Sequence, residues 1–355
     1  MFIRYRFALI TCSIIIILLV ILNIFLLFRK THNCNLPNYK MNIPDTISKE
    51  AQEVLKNMNF AAKNMVVPEP NDLEGWKKLQ NIIEESSKTV NQDYIKKYNP
   101  QIKNLTVNNV SFIEIIPNNL QFHDDILIYI HGGGFTLGSA ESSLYIAILM
   151  AHYTNRKIFT IDYTLAPEAK WQFILNEIID VIEFLSSQYS KIAISGHSAG
   201  GSLACAAVLK LRNKNHKLPY AVLLFSPWSD VSENGDTYEV LKNEDPILDY
   251  NKFLKNSALA YAGDEDLKNQ YISPVYAIYD NNNTFPPTLI QGGGTKEIFL
   301  SNFIRHYQVL DNANIPVKLD IYEGMFHVFP TLYPDLPESN VAYNKMNIFL
   351  NSYNK

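Results

Sequence analysis

Lys191-Ile192-Ala193-Ile194-Ser195-Gly196-His197-Ser198-Ala199-Gly200-Gly201-Ser202-Leu203-Ala204-Cys205-Ala206-Ala207-Val208-Leu209 changes character in its middle. Lys191 to Ser195 is a short apolar run of the kind that forms a buried strand. Gly200 to Leu209 reads as a helix of small and aliphatic residues lying close on that strand. Between them stands a Gly-x-Ser-x-Gly pattern with Ser198 at its centre. A serine on a sharp strand-to-helix turn holds its hydroxyl above the end of a sheet, and small neighbours give the turn its room. The pentapeptide alone is a common accident. The flanking strand and helix make it a candidate nucleophile.

A second glycine cluster lies upstream. Ile126-Leu127-Ile128-Tyr129-Ile130 is an apolar strand that runs straight into His131-Gly132-Gly133-Gly134. A glycine-rich loop in this place can present backbone N–H groups to a negatively charged tetrahedral intermediate. The alternative, two ordinary glycine turns, explains neither flanking strand. Outward from these motifs, strands and helices alternate. Lys157–Ile161, Tyr220–Phe225, Pro287–Gln291 and Val317–Tyr322 read as strands, Phe173–Leu185 as an amphipathic helix, and Glu338–Leu350 as the last helix. Residues 102–116 shift to a period of two and predict paired strands. The alternation implies an α/β fold with a mostly parallel sheet and helices on both faces. Residues 47–98, with Ala51, Val54, Leu55 and Met58 and then Leu79, Ile82 and Ile83 at helical spacing, and residues 226–280 interrupt it. Both are expected to form a helical cap over the site; the plainer reading is peripheral packing.

A serine hydroxyl needs a base, usually a histidine oriented by a carboxylate. Two histidines follow Ser198 at suitable distance, His306 and His327. His306 lies in a helical stretch and reads as a solvated helix face. His327 follows the last strand, in Tyr322-Glu323-Gly324-Met325-Phe326-His327, and is the expected base. The loop after Pro287–Gln291 contains one carboxylate, Glu297, which is the expected acid. Its alternative role is a solvated residue favoured by a helix N-terminus. Asp245 and Asp230 are the next candidates in chain order.

Composition narrows the partners. The chain has 355 residues and a net charge of −4, with no basic stripe that would serve a nucleic acid. Its three cysteines, Cys12, Cys34 and Cys205, are too few and too odd for a disulfide framework. No Cys/His cluster has metal-ligand spacing, and no cofactor is expected. Phe7 to Phe28 contains no charged residue over 22 positions. As a helix it would reach about 33 Å, enough for a bilayer core. It ends in Leu-Leu-Phe-Arg-Lys, without a small-residue cleavage site, so an uncleaved anchor is expected over a cleaved signal or a core helix. The expected organisation is an anchor at 1–30, a tether and cap helices at 31–105, and a catalytic domain at 106–355 with a cap insertion at about 226–280.

His131-Gly132-Gly133-Gly134-Phe135, Asp162-Tyr163-Thr164-Leu165-Ala166-Pro167-Glu168, Gly196-His197-Ser198-Ala199-Gly200-Gly201 and Gly324-Met325-Phe326-His327 together resemble the hormone-sensitive-lipase-like esterases of the α/β-hydrolase superfamily. The resemblance covers roughly residues 100–350. Ser226-Pro227-Trp228-Ser229-Asp230 and Pro286–Gln291 are most similar to the branch of bacterial acetyl esterases and monoterpene lactone hydrolases. The apolar N-terminus is similar to that of arylacetamide deacetylases and fungal steryl acetyl hydrolases. That likeness implies a single-pass membrane protein of the endoplasmic reticulum with a luminal catalytic domain. The resemblance further implies a small-molecule ester substrate, oxyanion donors at the N–H groups of Gly132, Gly133 and Ala199, and structural roles for Asp162 and Glu168. The chain departs from the family pattern at His197, where aspartate is common, at Glu297, where many members carry aspartate, and at Ala169-Lys170-Trp171, where a proline-rich turn is usual. The expected activity is hydrolysis of a short-chain acyl ester, acetyl ester or lactone. The rivals are an amidase or peptidase with the same triad, and a non-catalytic binding protein like the plant gibberellin receptors, which lack the histidine. Sequons stand at Asn104, Asn109 and Asn282.

Overall fold

The two apolar runs that precede the glycine motifs lie side by side at the centre of one sheet. The computed structural model describes residues 41–58, 65–279 and 285–354, and the elements below belong to the unit 43–355. The strands are β1 (Gln101–Val107), β2 (Val110–Ile116), β3 (Phe122–Ile130), β4 (Arg156–Asp162), β5 (Lys191–His197), β6 (Ala221–Phe225), β7 (Thr288–Gly293) and β8 (Val317–Tyr322). They form an eight-stranded sheet in the order β1-β2-β4-β3-β5-β6-β7-β8. β1 and β2 are an antiparallel hairpin, and β2 pairs antiparallel with β4. Every pairing from β4 through β3 to β8 is parallel. Ile126 to Ile130 of β3 have no solvent exposure, as continuous apolar strands of a covered parallel sheet require.

The helices are α1 (Lys49–Asn57), α2 (Leu73–Tyr98), α3 (Leu144–Thr154), α4 (Trp171–Ser186), α5 (Ala199–Asn213), α6 (Thr237–Val240), α7 (Lys255–Ala262), α8 (Leu300–Asn312), α9 (Phe329–Leu332) and α10 (Pro337–Tyr353). α3 and α10 pack on one face of the sheet, and α4 and α5 pack on the other. The fold is that of an α/β hydrolase with a mostly parallel central sheet. Asp72 caps α2 by accepting from the N–H of Gly75 at 2.9 Å, and Asn99 ends that helix in a left-handed turn.

α2 and the 226–280 insertion meet over the loop that follows β3. Trp76 and Leu79 of α2 cluster with Leu137 and Phe253. Gln80 donates to the carbonyl of Thr136 at 2.9 Å, Asn91 to that of Glu141 at 2.7 Å, and Asn256 to that of Pro68 at 2.9 Å. Phe253 belongs to a π-helical turn, Tyr250–Leu254, that leads into α7.

The expectation of a membrane-anchored protein is corrected. Among the described residues no helix is long and apolar enough to cross a membrane. The segment 7–28 that prompted it lies outside the described residues, as do Cys12, Cys34 and Asn282. The inferred single-pass placement in the endoplasmic reticulum falls with it. Asn104 and Asn109 are exposed on and beside the edge hairpin.

The start of α5 is pressed hard against the sheet. A Cβ on Gly200 would stand 2.2 Å from the carbonyl oxygen of Ile130 and 2.4 Å from that of His131. One on Gly196 would stand 2.1 Å from the carbonyl of Gly200. All of these obstacles are backbone, which cannot swing away. Gly200→Ala is therefore expected to lower unfolding stability by about 1–3 kcal/mol or more, the usual cost of overpacking. Urea unfolding of the purified variant measures this, and an unchanged midpoint would mean that the helix start is free to shift.

Candidate active site

Parallel pairing brings the ends of five strands level. Ile130 pairs with Gly196, His197 with Phe225, Phe225 with Gln291, and Gly293 with Tyr322. The loops leaving these ends carry the glycine motif, Ser198, Ser226, Glu297 and His327. This is the edge where open α/β sheets hold their ligands.

Ser198 occupies the turn between β5 and α5 with φ 53° and ψ −125°. A side chain at positive φ is strained and persists only where its surroundings fix it. Here the Ser198 N–H donates to the Phe225 carbonyl at 2.9 Å, and its own carbonyl accepts from Trp228 and Gly201, each at 3.0 Å. Its Oγ lies 3.0 Å from Nε2 of His327. On the other side of the ring, Nδ1 of His327 lies 2.7 Å from Oε1 of Glu297. A carboxylate can only accept, so Nδ1 carries the hydrogen and Nε2 presents its lone pair to the serine hydroxyl. Phe299 sets its ring against the imidazole at 5.1 Å and 87°.

Glu297 has no solvent exposure. Its second oxygen accepts from the N–H of Gly293 at 2.6 Å and from the hydroxyl of Ser226 at 3.0 Å. The Ser226 oxygen in turn accepts from the N–H of Val328 at 3.1 Å, one residue beyond His327. Ser226 entered the sequence reading only as part of the Ser226–Asp230 segment, with no role at the site. Its place at the end of β6, the strand between those of the nucleophile and the acid, was the available signal.

Neither alternative acid reaches His327. Asp230 is buried in a cluster with Arg305, Tyr276 and Ser232. Asp245 accepts from the N–H groups of Ile247, Leu248 and Ile298. Burial outweighs those bonds and pushes its carboxyl up to about 6. Through Ile298 it pins the segment that carries Glu297, and Lys296 adds an ion pair to Glu244.

The glycine loop curls tightly beside the serine. Gly133 has φ 110°, and a Cβ there would meet the Leu137 carbonyl at 2.1 Å. Ala199 is the first residue of α5, so its N–H has no partner within the helix. Among the described residues no protein hydrogen bond takes the N–H of Gly133. The N–H of Gly132 differs, because it donates to Nε2 of His197 at 3.2 Å. Nδ1 of His197 lies 2.7 Å from the hydroxyl of Tyr129. Burial, with His131 and His327 nearby, lowers His197 to about 3. His131 stacks on Tyr163 at 4.2 Å, with Nδ1 2.8 Å from the Gly132 carbonyl.

Other expected residues fall where ordinary packing puts them. Asp162 accepts from the N–H of Ala140 at 3.0 Å, and Glu168 pairs with Lys77 at 3.4 Å on the surface. Cys205 is a buried free thiol in α5. The reading of His306 as solvated is corrected. It has no exposure, its Nε2 lies 3.3 Å from the Tyr279 hydroxyl, and burial lowers it to about 4. Phe303, His306 and Leu310 repeat on one face of α8 and all turn inward.

Comparison with known proteins bears on the fold and the family. A family profile described as alpha/beta hydrolase fold matches residues 127–331. An esterase of Acinetobacter venetianus is 29% identical over 220 residues, which is 61% of this chain and 71% of that protein. An acetyl-hydrolase of Streptomyces hygroscopicus is 28% identical over 227 residues, 63% of this chain and 74% of that protein. The crystal structure of an esterase from the bacterial hormone-sensitive lipase family is similar with a TM-score of 0.74 at 25% identity, covering 86% of this chain and 98% of that one.

Ser226 gives a test of how the site is held. Ser226→Ala removes the donor to Glu297 and leaves the Val328 N–H buried without an acceptor. Such an orphan costs about 1–3 kcal/mol. Thermal unfolding should show that loss, and kcat should fall several-fold as the glutamate and histidine loops loosen. A variant with wild-type stability and kcat would show that the Ser226 bridge is dispensable.

Proposed function

The chain belongs to the alpha/beta hydrolase fold family, in its hormone-sensitive-lipase-like branch, and we propose that it is a serine-dependent carboxylic ester hydrolase working through Ser198, His327 and Glu297. The observation that carries the reading is the continuous relay from Ser198 Oγ to His327 Nε2 at 3.0 Å and from His327 Nδ1 to Glu297 Oε1 at 2.7 Å.

In this mechanism His327 Nε2 takes the Ser198 proton as Oγ attacks the acyl carbon. The carbonyl π electrons move onto oxygen, and the resulting oxyanion faces the N–H groups of Gly133 and Ala199. Collapse breaks the bond to the alcohol, which leaves with the proton from Nε2. Water then gives a proton to Nε2 and attacks the acyl-enzyme carbonyl. Collapse of that second intermediate expels Ser198, which recovers its hydrogen, and frees the acid. Glu297 stays ionised and stabilises the imidazolium formed in each half.

The substrate class in this proposal is a small ester with a short acyl group, acetyl to about hexanoyl. The cap is assigned to the N-terminal helices and the 226–280 insertion. Phe253 supports the size limit: its ring lies so close to the glycine loop that a Cβ on Gly134 would meet it at 2.9 Å. Trp76 stands behind it at 6.2 Å. The acetyl-hydrolase and esterase names of the relatives point the same way.

A series of p-nitrophenyl esters from acetyl to oleoyl, with an acetanilide alongside, tests both halves of the proposal. Turnover should be greatest for short acyl esters and very slow for the anilide. Faster hydrolysis of oleoyl than butyryl esters in matched detergent would overturn the size limit. Ser198→Ala should abolish turnover while leaving the fold intact. Glu297→Gln should lower kcat by about 10²–10⁴ with KM little changed, because it removes charge from the imidazolium and not from the acyl pocket. Near-wild-type kcat in folded Glu297→Gln would remove the glutamate from the triad.

A further inference from the structure

The histidine between Gly196 and the nucleophile has no place in the relay, yet it touches the glycine loop directly. We propose that His197 is the positioning residue of the oxyanion loop. Its Nε2 lone pair holds the N–H of Gly132 and so fixes the glycine peptides that follow, whose N–H groups face the oxyanion together with that of Ala199. The inference rests on the ester-hydrolase reading and goes beyond it by giving Gly132 and His197 roles that the family resemblance does not.

Two contacts fix the chemistry. The Gly132 N–H can only donate, so Nε2 must be bare where they meet at 3.2 Å. Nδ1 then carries the ring hydrogen and donates it to the Tyr129 oxygen at 2.7 Å. The opposite tautomer, or a charged ring, would set an Nε2–H against the Gly132 N–H, donor against donor. Burial favours the neutral ring, and the titratable neighbours, His131 and His327, offer no negative charge that would hold a cation there.

Steric fit supports the same role. The imidazole lies flat beside the Tyr129 ring, 18° off parallel at 5.8 Å. Tyr129 lies on β3, one residue from its end, and His197 ends β5, so the ring bridges two neighbouring strand ends. On its far edge it is wedged against Gly132, where a Cβ would stand 2.6 Å from Cδ2 and Nε2. A rigid ring between strand and loop sets where the next peptide, that of Gly133, points. Small misplacements of such a donor are costly, on the order of 10²-fold per ångström.

Side chains that copy one ring nitrogen at a time separate this role from mere filling of space. Glutamine can set an oxygen near the position of Nε2, asparagine near that of Nδ1, and phenylalanine keeps the ring without an acceptor. His197→Phe and His197→Asn should lower kcat by roughly 10–100-fold with KM changed less than about threefold. Affinity for a trifluoromethyl ketone, which forms the oxyanion, should fall in parallel. His197→Gln should recover most of the loss. Equal activity in the glutamine and phenylalanine variants would overturn the proposal, as would ketone affinity unchanged from wild type. A readout independent of turnover covers variants that fail to fold. Nitrogen-15 spectra of the wild-type protein should show His197 as the neutral Nδ1–H tautomer at neutral pH. An Nε2–H ring would refute the contact outright. If Ser198→Ala keeps its activity, the ester-hydrolase reading fails on its own, and the tautomer still reports on the His197–Gly132 bond.

Discussion

The carboxylate of Glu297 is a charge without solvent, and a buried charge is tolerated only when its lone pairs are satisfied. Here the partners come from three strand ends: Gly293 at the end of β7, Ser226 after β6, and His327 after β8. The glutamate loop is itself tied down. Its Ile298 N–H is held by Asp245 from the insertion, and Gly294 donates to the Met325 carbonyl at 3.1 Å. Removing the charge would therefore disturb more than one ring's orientation, because it is the shared anchor of three loops. Retaining a full carboxylate at that point favours fixed geometry over hydrophobic burial.

Apolar contacts continue what the carboxylate begins. Tyr261 of α7 stacks on Phe135 at 3.9 Å, Phe135 on Trp228 at 5.5 Å, and Trp228 on Phe299 at 5.7 Å, which meets His327 edge-on. Each such pair contributes about 0.5–1.5 kcal/mol beyond its buried area. The chain of rings runs from the cap through the glycine loop to the base. Its polar tips are used as well: Trp228 Nε1 donates to Tyr238 Oη at 3.1 Å. The walls of the site are thus held by contacts among the protein's own rings.

The sheet was legible because its strands are continuous apolar runs bounded by turn residues, and those at 126–130 and 191–195 fall inside β3 and β5. Ser198, Glu297 and His327 could be nominated because each follows a strand, and parallel pairing brings such positions together. Contacts that depend on register alone were not legible. Ser226 reaches Glu297 across 71 positions of chain, and its place after β6 gives no hint of that partner. The engagement of Gly132 by His197 was hidden in the same way, since it needs the two strands at their true spacing. His306 was misread for a different reason. A polar side chain was weighed above the helical spacing of Phe303, His306 and Leu310, although that spacing places it inside.

The cap meets the sheet in a manner that bears on how such a protein can change over generations. Neither covering segment contributes a strand to the sheet. Gln80, Asn91 and Asn256 fasten them by donating to main-chain carbonyls of Thr136, Glu141 and Pro68. A carbonyl is present whatever side chain stands there, so the receiving positions can drift without losing the attachment. Phe253, set against the glycine loop, and Trp76 behind it lie in those same covering segments. The roof and the relay thus overlap only in part: most of the covering segments lie apart from the triad, while Ser226 and Asp245 of the insertion help to hold it. Selection can rework the roof by exchanging the residues that lie apart while the strand ends beneath keep their alignment.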